Sequence, residues 1–234
     1  MCSVTWRERK LKMIKENLQQ IRATLKPNIE LVAVSKFHPA EAIQEAYEAG
    51  QRVFGESHVQ ELVEKEKVLP KDIEWHFIGH LQTNKVKYMA PFVSLIHSMD
   101  SLKLMKEIDK QGQKCGRVID VLLQIHVAKE ETKFGFTPEE VVEMLQEGEW
   151  KNYAHVRIVG LMAMATNTDD EEQIAQEFDV AHQLFDTLKA DFFADKPEFK
   201  ELSMGMSGDY LIAQEHGSTM VRVGSMIFGE RIYQ

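Results

Sequence analysis

Apolar residues return along this chain in two alternating rhythms. Short runs rich in β-branched and aromatic residues read as buried strands: Leu31–Val34, Arg52–Gly55, Glu74–Ile78, Ser94–His97, Val118–Val127, Arg157–Met164, Glu201–Ser203 and Met220–Val223. Between them, apolar positions recur every three or four residues, the spacing of one helix face. These helical stretches begin near Pro39, Val59, Thr83, Ser101, Pro138, Asp169 and Gly208. Ahead of the first strand, Val4 to Leu25 forms an amphipathic helix with Ile14, Leu18, Ile21 and Leu25 on one face, and Pro27 ends it. The Asp169 helix carries the stripe Ile174, Phe178, Ala181, Phe185 and Leu188, which is expected to pack into the core.

Eight strands alternating with helices predict a parallel sheet. Eight such units suggest closure into a (β/α)8 TIM barrel with an extra N-terminal helix, although an open α/β sheet would show the same pattern. No Pro/Gly/Ser-rich linker divides residues 1–234, so a single domain is expected. The chain's 234 residues match a minimal barrel, which needs roughly 200–250.

Composition narrows the setting. The net charge of −9 disfavours nonspecific binding to nucleic acid. Two cysteines, Cys2 and Cys115, are too few for a disulfide framework. The segment Trp6–Lys12 is charged where a signal peptide would be apolar, and no apolar run approaches transmembrane length. A reducing, cytoplasmic location is expected, with no membrane and no nucleic-acid partner.

The chemistry is expected at the C-terminal ends of the strands. Lys36 closes the first run, Glu30-Leu31-Val32-Ala33-Val34-Ser35-Lys36. Such a lysine either reaches water at the edge, or is a desolvated amine of lowered pKa able to form a Schiff base with an aldehyde. Gly55-Glu56-Ser57-His58 follows the second strand and Gly79-His80-Leu81-Gln82 the third. Ser203-Met204-Gly205-Met206-Ser207-Gly208-Asp209 follows the seventh, and Arg222-Val223-Gly224-Ser225 closes the eighth. Small residues after strands seven and eight commonly bind phosphate in such barrels. His76 and His80 are four apart but straddle a strand and its exit, so no metal site is expected, and His80 is expected to line the pocket. Glu56 reads as a supporting anchor rather than a general base. Lys129, Glu130, Glu131 and Lys133 read as a solvated rim loop, with Lys133 a candidate ligand contact.

Taken together and in order, Val32–Lys36, Phe54-Gly55-Glu56, Trp75–Lys85, Leu202–Ser207 and Val221–Gly229 resemble the pyridoxal phosphate homeostasis protein family, itself similar to the barrel domain of bacterial alanine racemases. The resemblance runs from about Val4 to Phe228. It implies an internal aldimine between Lys36 and pyridoxal 5'-phosphate. It implies phosphate binding by Ser207 and the backbone of Met206, Gly224 and Ser225, with Arg222 facing the pyridine nitrogen. A guanidinium there leaves the ring nitrogen unprotonated and damps carbanion chemistry. Ser57, His58 and His38 depart from the family pattern of asparagine, tyrosine and a second lysine.

The implied role is cofactor holding and supply, with apo-enzymes that use pyridoxal phosphate as candidate recipients and a monomer or weak dimer as the expected state. The alternative is a pyridoxal-phosphate-dependent amino-acid racemase. Two-base racemisation needs a group on the opposite face from Lys36. Alanine racemases supply it from a second domain, which this chain, ending at Gln234, is expected to lack. Any racemase-like turnover is therefore expected to be slow. A phosphosugar isomerase barrel would also suit the phosphate loop, but gives Lys36 and Arg222 no joint purpose.

Overall fold

Strand and helix alternate along the chain until the last strand meets the first. The computed structural model describes residues 6–128 and 134–229. Its elements are α1 (Trp6–Thr24), β1 (Glu30–Val34), α2 (Ala40–Glu48), β2 (Val53–Glu56), α3 (Val59–Val68), β3 (Glu74–Phe77), α4 (Val86–Met89), β4 (Leu95–Met99), α5 (Leu102–Cys115), β5 (Ile119–Ile125), α6 (Pro138–Glu147), β6 (Val156–Ala163), α7 (Glu171–Phe192), β7 (Glu201–Ser203), α8 (Tyr210–Glu215), β8 (Met220–Val223) and α9 (Ser225–Phe228). The strands pair in chain order, and β8 pairs with β1, so the sheet is a closed parallel barrel rather than an open sheet.

The predicted boundaries hold with small shifts that have local causes. The fifth strand stops at Ile125 because the chain turns there, with His126 N–H donating to Phe136 O at 2.8 Å. The helix expected near Thr83 opens as a 3-10 turn, Thr83–Lys85, before α4. Ser101 and Asp170 cap α5 and α7 through side-chain acceptors, and Thr137 forms a reciprocal capping box with Glu140 ahead of Pro138. The start of the first helix at Val4 and the rim loop Lys129, Glu130, Glu131 and Lys133 lie outside the described residues.

Two packed layers follow from strand parity. Outward-facing strand residues meet the helices, where Ile14, Leu18 and Ile21 of α1 and Ile174, Phe178, Ala181, Phe185 and Leu188 of α7 are all buried. Leu25, expected to complete the α1 stripe, is only partly buried. Each fully buried large side chain contributes about 1.5–3 kcal/mol. The inner layer contains Val32, Val53, Leu95, Leu122, Val159, Met162 and Met220. It also admits polar groups at positions of the same parity: His76 two residues after Glu74, His97 two after Leu95, and Arg222 two after Met220.

Ser35 and Glu56 have the outward parity and meet α3. There Lys65 Nζ donates to Glu56 Oε1 at 2.6 Å, to Glu61 Oε1 at 2.6 Å and to the Ser35 carbonyl at 2.8 Å. Ser35 Oγ donates to the same Glu56 oxygen at 2.6 Å. The second carboxylate oxygen, Oε2, is buried with no hydrogen-bond partner among the described residues. Burial pushes the Glu56 carboxyl up from 4.5 to about 7; Lys65 opposes the rise and Glu61 adds to it. The folded protein thus holds this proton more tightly than the unfolded chain. The stabilising contribution is complete below about pH 4.5 and is lost as the pH climbs to about 7. Thermal melts should therefore show the Tm difference between Glu56→Gln and wild type shifting in favour of Glu56→Gln across that window, then levelling off. A difference that stays constant from pH 4 to 8 would contradict it.

Candidate functional site

The β1–β8 ladder, in register from Glu30↔Met220 to Ala33↔Val223, fixes the site. It carries the end of β1 alongside Gly224 and Ser225, so Lys36 rises next to the loop that follows β8. Lys36 is half-buried, in a tight turn. The next residue, Phe37, has φ of 64°, a left-handed conformation that costs a side-chain-bearing residue about 1–2 kcal/mol. The surroundings hold the turn in place: Phe37 N–H donates to Glu61 Oε1 at 2.7 Å, and His38 N–H to the Ser35 carbonyl at 3.1 Å. Glu56 lies behind the strand in this support and not in the barrel mouth, which matches its expected anchoring role.

Across the seam, the loops after β7 and β8 approach each other closely. Gly205 has φ of +92°, and a Cβ there would sit 2.6 Å from Ala213 Cβ, so only glycine fits. Its carbonyl accepts from Arg222 N–H at 2.9 Å. Ser207 Oγ accepts from Gly224 N–H at 3.3 Å, and a Cβ on Gly224 would come within 2.9 Å of the Val34 carbonyl. Ser225 opens α9, so its amide has no acceptor within the helix. Ser207 thus meets Gly224, and Gly224 lies against Val34, two residues before the Lys36 turn. The Gly224 amide is therefore already paired with Ser207, as the Met206 amide is with the Asp209 side chain, and the Met206 side chain is exposed.

Arg222 is buried beneath these loops. Nη1 donates to Ser203 O at 2.9 Å and Ser203 Oγ at 2.6 Å, and Nη2 to Ala163 O at 3.1 Å. Burial lowers its pKa to about 10, partly offset by Asp209, so the guanidinium stays cationic at neutral pH. Ser203 Oγ continues to His97 Nδ1 at 3.1 Å, and His97 Nε2 to His76 Nδ1 at 3.1 Å. Burial holds His76 down at about 3 and His97 well below the usual range, the latter helped by His76 and Arg222, so both rings are neutral. The assignment that satisfies every donor runs one way: Arg222 donates to Ser203, Ser203 to His97, and His97 to His76.

The sequence reading missed Ser203, His97, Glu61 and Lys65. Parity was the available signal for His97 and His76, since both fall on inward strand positions. For Lys65 it was periodicity, since Lys65 shares the buried face of α3 with Val59 and Leu62. The departures from the family pattern settle locally. His58 packs its ring 5.0 Å from Phe37, with Ser57 Oγ 3.2 Å from its Nδ1, and buried His38 sits 5.1 Å from the Phe228 ring. His80 stacks on Phe134 at 4.1 Å and pairs with Asp100 at 3.3 Å, on the rim. No cluster of metal-ligating side chains occurs among the described residues, and no helix there is long and apolar enough to cross a membrane.

A phosphorylated aldehyde fits this mouth. The Ser207 hydroxyl with the Gly224 and helix-opening Ser225 amides suits a phosphate, an amine stands on the turn after the neighbouring strand, and a buried cation lies on β8. Comparison with known proteins agrees. Residues 10–232 match the family model of the alanine racemase N-terminal domain. The pyridoxal phosphate homeostasis protein of Aquifex aeolicus is 42% identical over 205 residues, 87% of this chain and 88% of that protein. The structure of PipY from Synechococcus elongatus PCC7942 with pyridoxal phosphate bound is 36% identical and superposes with a TM-score of 0.82, covering 92% of this chain and 100% of that one. An alanine racemase from Clostridium difficile 630 shares the fold at a TM-score of 0.73 and 15% identity, with 96% of this chain matched to 58% of that one. The full-length sequence matches, and a barrel that superposes along almost its whole length, place this chain in the pyridoxal phosphate homeostasis protein family.

Proposed function

We propose that this protein binds pyridoxal 5'-phosphate as an internal aldimine on Lys36 and serves to hold and supply the cofactor, without efficient amino-acid turnover. The observation that carries this reading is the seam between β1 and β8, which brings the pinned Lys36 turn together with the paired Ser207 and Gly224 loops and the buried Arg222 of β8. The 36% identity to PipY, whose structure contains pyridoxal phosphate, supports the same ligand here.

Each residue has a distinct task. Lys36 would supply the amine that condenses with the cofactor's aldehyde, the carbonyl oxygen leaving as water. Ser207 and the Gly224 and Ser225 amides hold the phosphate, the Gly224 amide exchanging its Ser207 partner and the Met206 amide its Asp209 partner. Bound pyridoxal phosphate supplies an aldehyde and an electron-withdrawing ring. Arg222 has only donors to offer, so it faces the ring nitrogen without protonating it, and the ring remains a weak electron sink. That weakness suits a carrier better than a racemase.

Three outcomes are expected. Mass spectrometry after borohydride reduction should place the adduct on Lys36, and Lys36→Ala should lose the imine absorbance while keeping some phosphate-mediated affinity. An adduct found only at other lysines would refute the attachment site. Ser207→Ala removes a hydrogen bond to a charged group, costing about 1.5–3 kcal/mol, or roughly ten- to a hundredfold in affinity. Pyridoxal without its phosphate should bind far more weakly than the phosphate ester; equal affinity would rule out this placement. Incubation of the loaded protein with L- and D-alanine, followed by chiral chromatography, should show turnover far below about 1 s⁻¹. A rate at or above that level would restore the racemase alternative.

A further inference from the structure

The side of the Lys36 turn facing away from the barrel mouth rests on one ammonium group. Lys65 Nζ bonds to the carbonyl of Ser35, the residue before Lys36, at 2.8 Å. It also bonds at 2.6 Å to Glu61 Oε1, which accepts the N–H of Phe37, the residue after Lys36, at 2.7 Å. A third bond, at 2.6 Å, runs to Glu56 on β2, whose same oxygen takes the Ser35 hydroxyl. Both neighbours of Lys36 are thus tied to a single cation in the layer behind the strand.

We propose that Lys65 is a positioning residue for the cofactor lysine: by binding Ser35, Glu56 and Glu61 together, it holds the turn in the conformation that aims Lys36 for covalent attachment. The inference rests on the role assigned to Lys36 above.

Three features favour positioning over simple packing. Lys65 lies on the buried face of α3 with Val59 and Leu62, where an apolar side chain would fill the same space without burying a charge. Its side chain is 7% exposed, so solvation does not account for its placement. Phe37 holds a left-handed φ of 64° that its side chain disfavours, so the turn depends on outside contacts to keep that shape. The tether from Glu61 to the Phe37 amide is such a contact, and Lys65 fixes the Glu61 carboxylate one helical turn away.

The test compares two ligands. Pyridoxal phosphate reports both covalent attachment and phosphate contacts, whereas pyridoxine 5'-phosphate lacks the aldehyde and reports the contacts alone. Lys65→Met removes the cation. Glu56→Gln/Lys65→Met does the same without leaving the Glu56 charge buried and unpaired, and Glu61→Ala cuts the Phe37 tether together with the Glu61 pairs to Lys65 and His58, while the Lys65 bonds to Ser35 and Glu56 remain. In each variant, affinity for pyridoxal phosphate and the yield of borohydride-fixed Lys36 adduct should fall roughly tenfold or more. Affinity for pyridoxine phosphate should change less than about twofold, and Lys65→Arg should recover part of the loss. Parallel weakening of both ligands would mean that Lys65 merely stabilises the fold, and unchanged pyridoxal phosphate affinity in Glu61→Ala and the double variant would equally overturn the proposal. If Lys65→Met does not fold, Glu61→Ala alone decides. A wild-type protein that forms no Lys36 adduct would instead show that the reading of Lys36 itself is wrong.

Discussion

Pairing of the first strand with the last, from Glu30↔Met220 to Ala33↔Val223, joins parts of the chain that are otherwise far apart. Every element of the candidate site depends on this seam. The Lys36 turn leaves one side of it, and Arg222, Gly224 and Ser225 leave the other. Closing loops of this length is entropically expensive, and the return comes only once the ladder and both hydrophobic layers have formed. The geometry of the candidate site therefore depends on closing this seam, and destabilising the seam would disperse the whole site at once.

Strand parity sorts the buried polar groups into two sets with different jobs. Inward positions hold Arg222, Ser203, His97 and His76 beneath the barrel mouth. Outward positions hold Ser35 and Glu56, which meet Lys65 behind the Lys36 turn. Buried ionised groups carry a desolvation cost of several kcal/mol each unless they are well paired and hydrogen-bonded. Placing both sets directly under the site ties that cost to the geometry of the lysine and the arginine.

Much of this was legible before any coordinates. Alternating runs gave eight strands in the correct places, and the helix starts at Val59, Ser101 and Pro138 fell within a residue of the structure. Ser207, Gly224 and Ser225 could be anticipated because small residues after the seventh and eighth strands have a recurrent purpose in barrels. Closure was legible only from the count of eight units and the family resemblance, since no local signal says that β8 meets β1. Lys65 was hidden for a different reason. Glu61 and Lys65 are four apart on a helix, which resembles an ordinary solvated pair, and only the burial of that face shows otherwise. Met206 illustrates a further limit: its amide was readable as a donor, but not that Asp209 already occupies it.

The chain of bonds from Arg222 through Ser203 and His97 to His76 has a polarity set at its upper end. A guanidinium only donates, so Ser203 must accept from it and pass its own proton on; each imidazole below accepts at Nδ1 and donates through Nε2. No link can be changed in isolation. Exchanging His97 for a residue that only accepts would leave His76 Nδ1 without its donor, and replacing Ser203 with an apolar residue would leave both Arg222 and His97 short of a partner in a dry interior. The proton arrangement along this chain of bonds is therefore shared property: a change of donor or acceptor at one position resets what the next can do, as far as the arginine at the mouth.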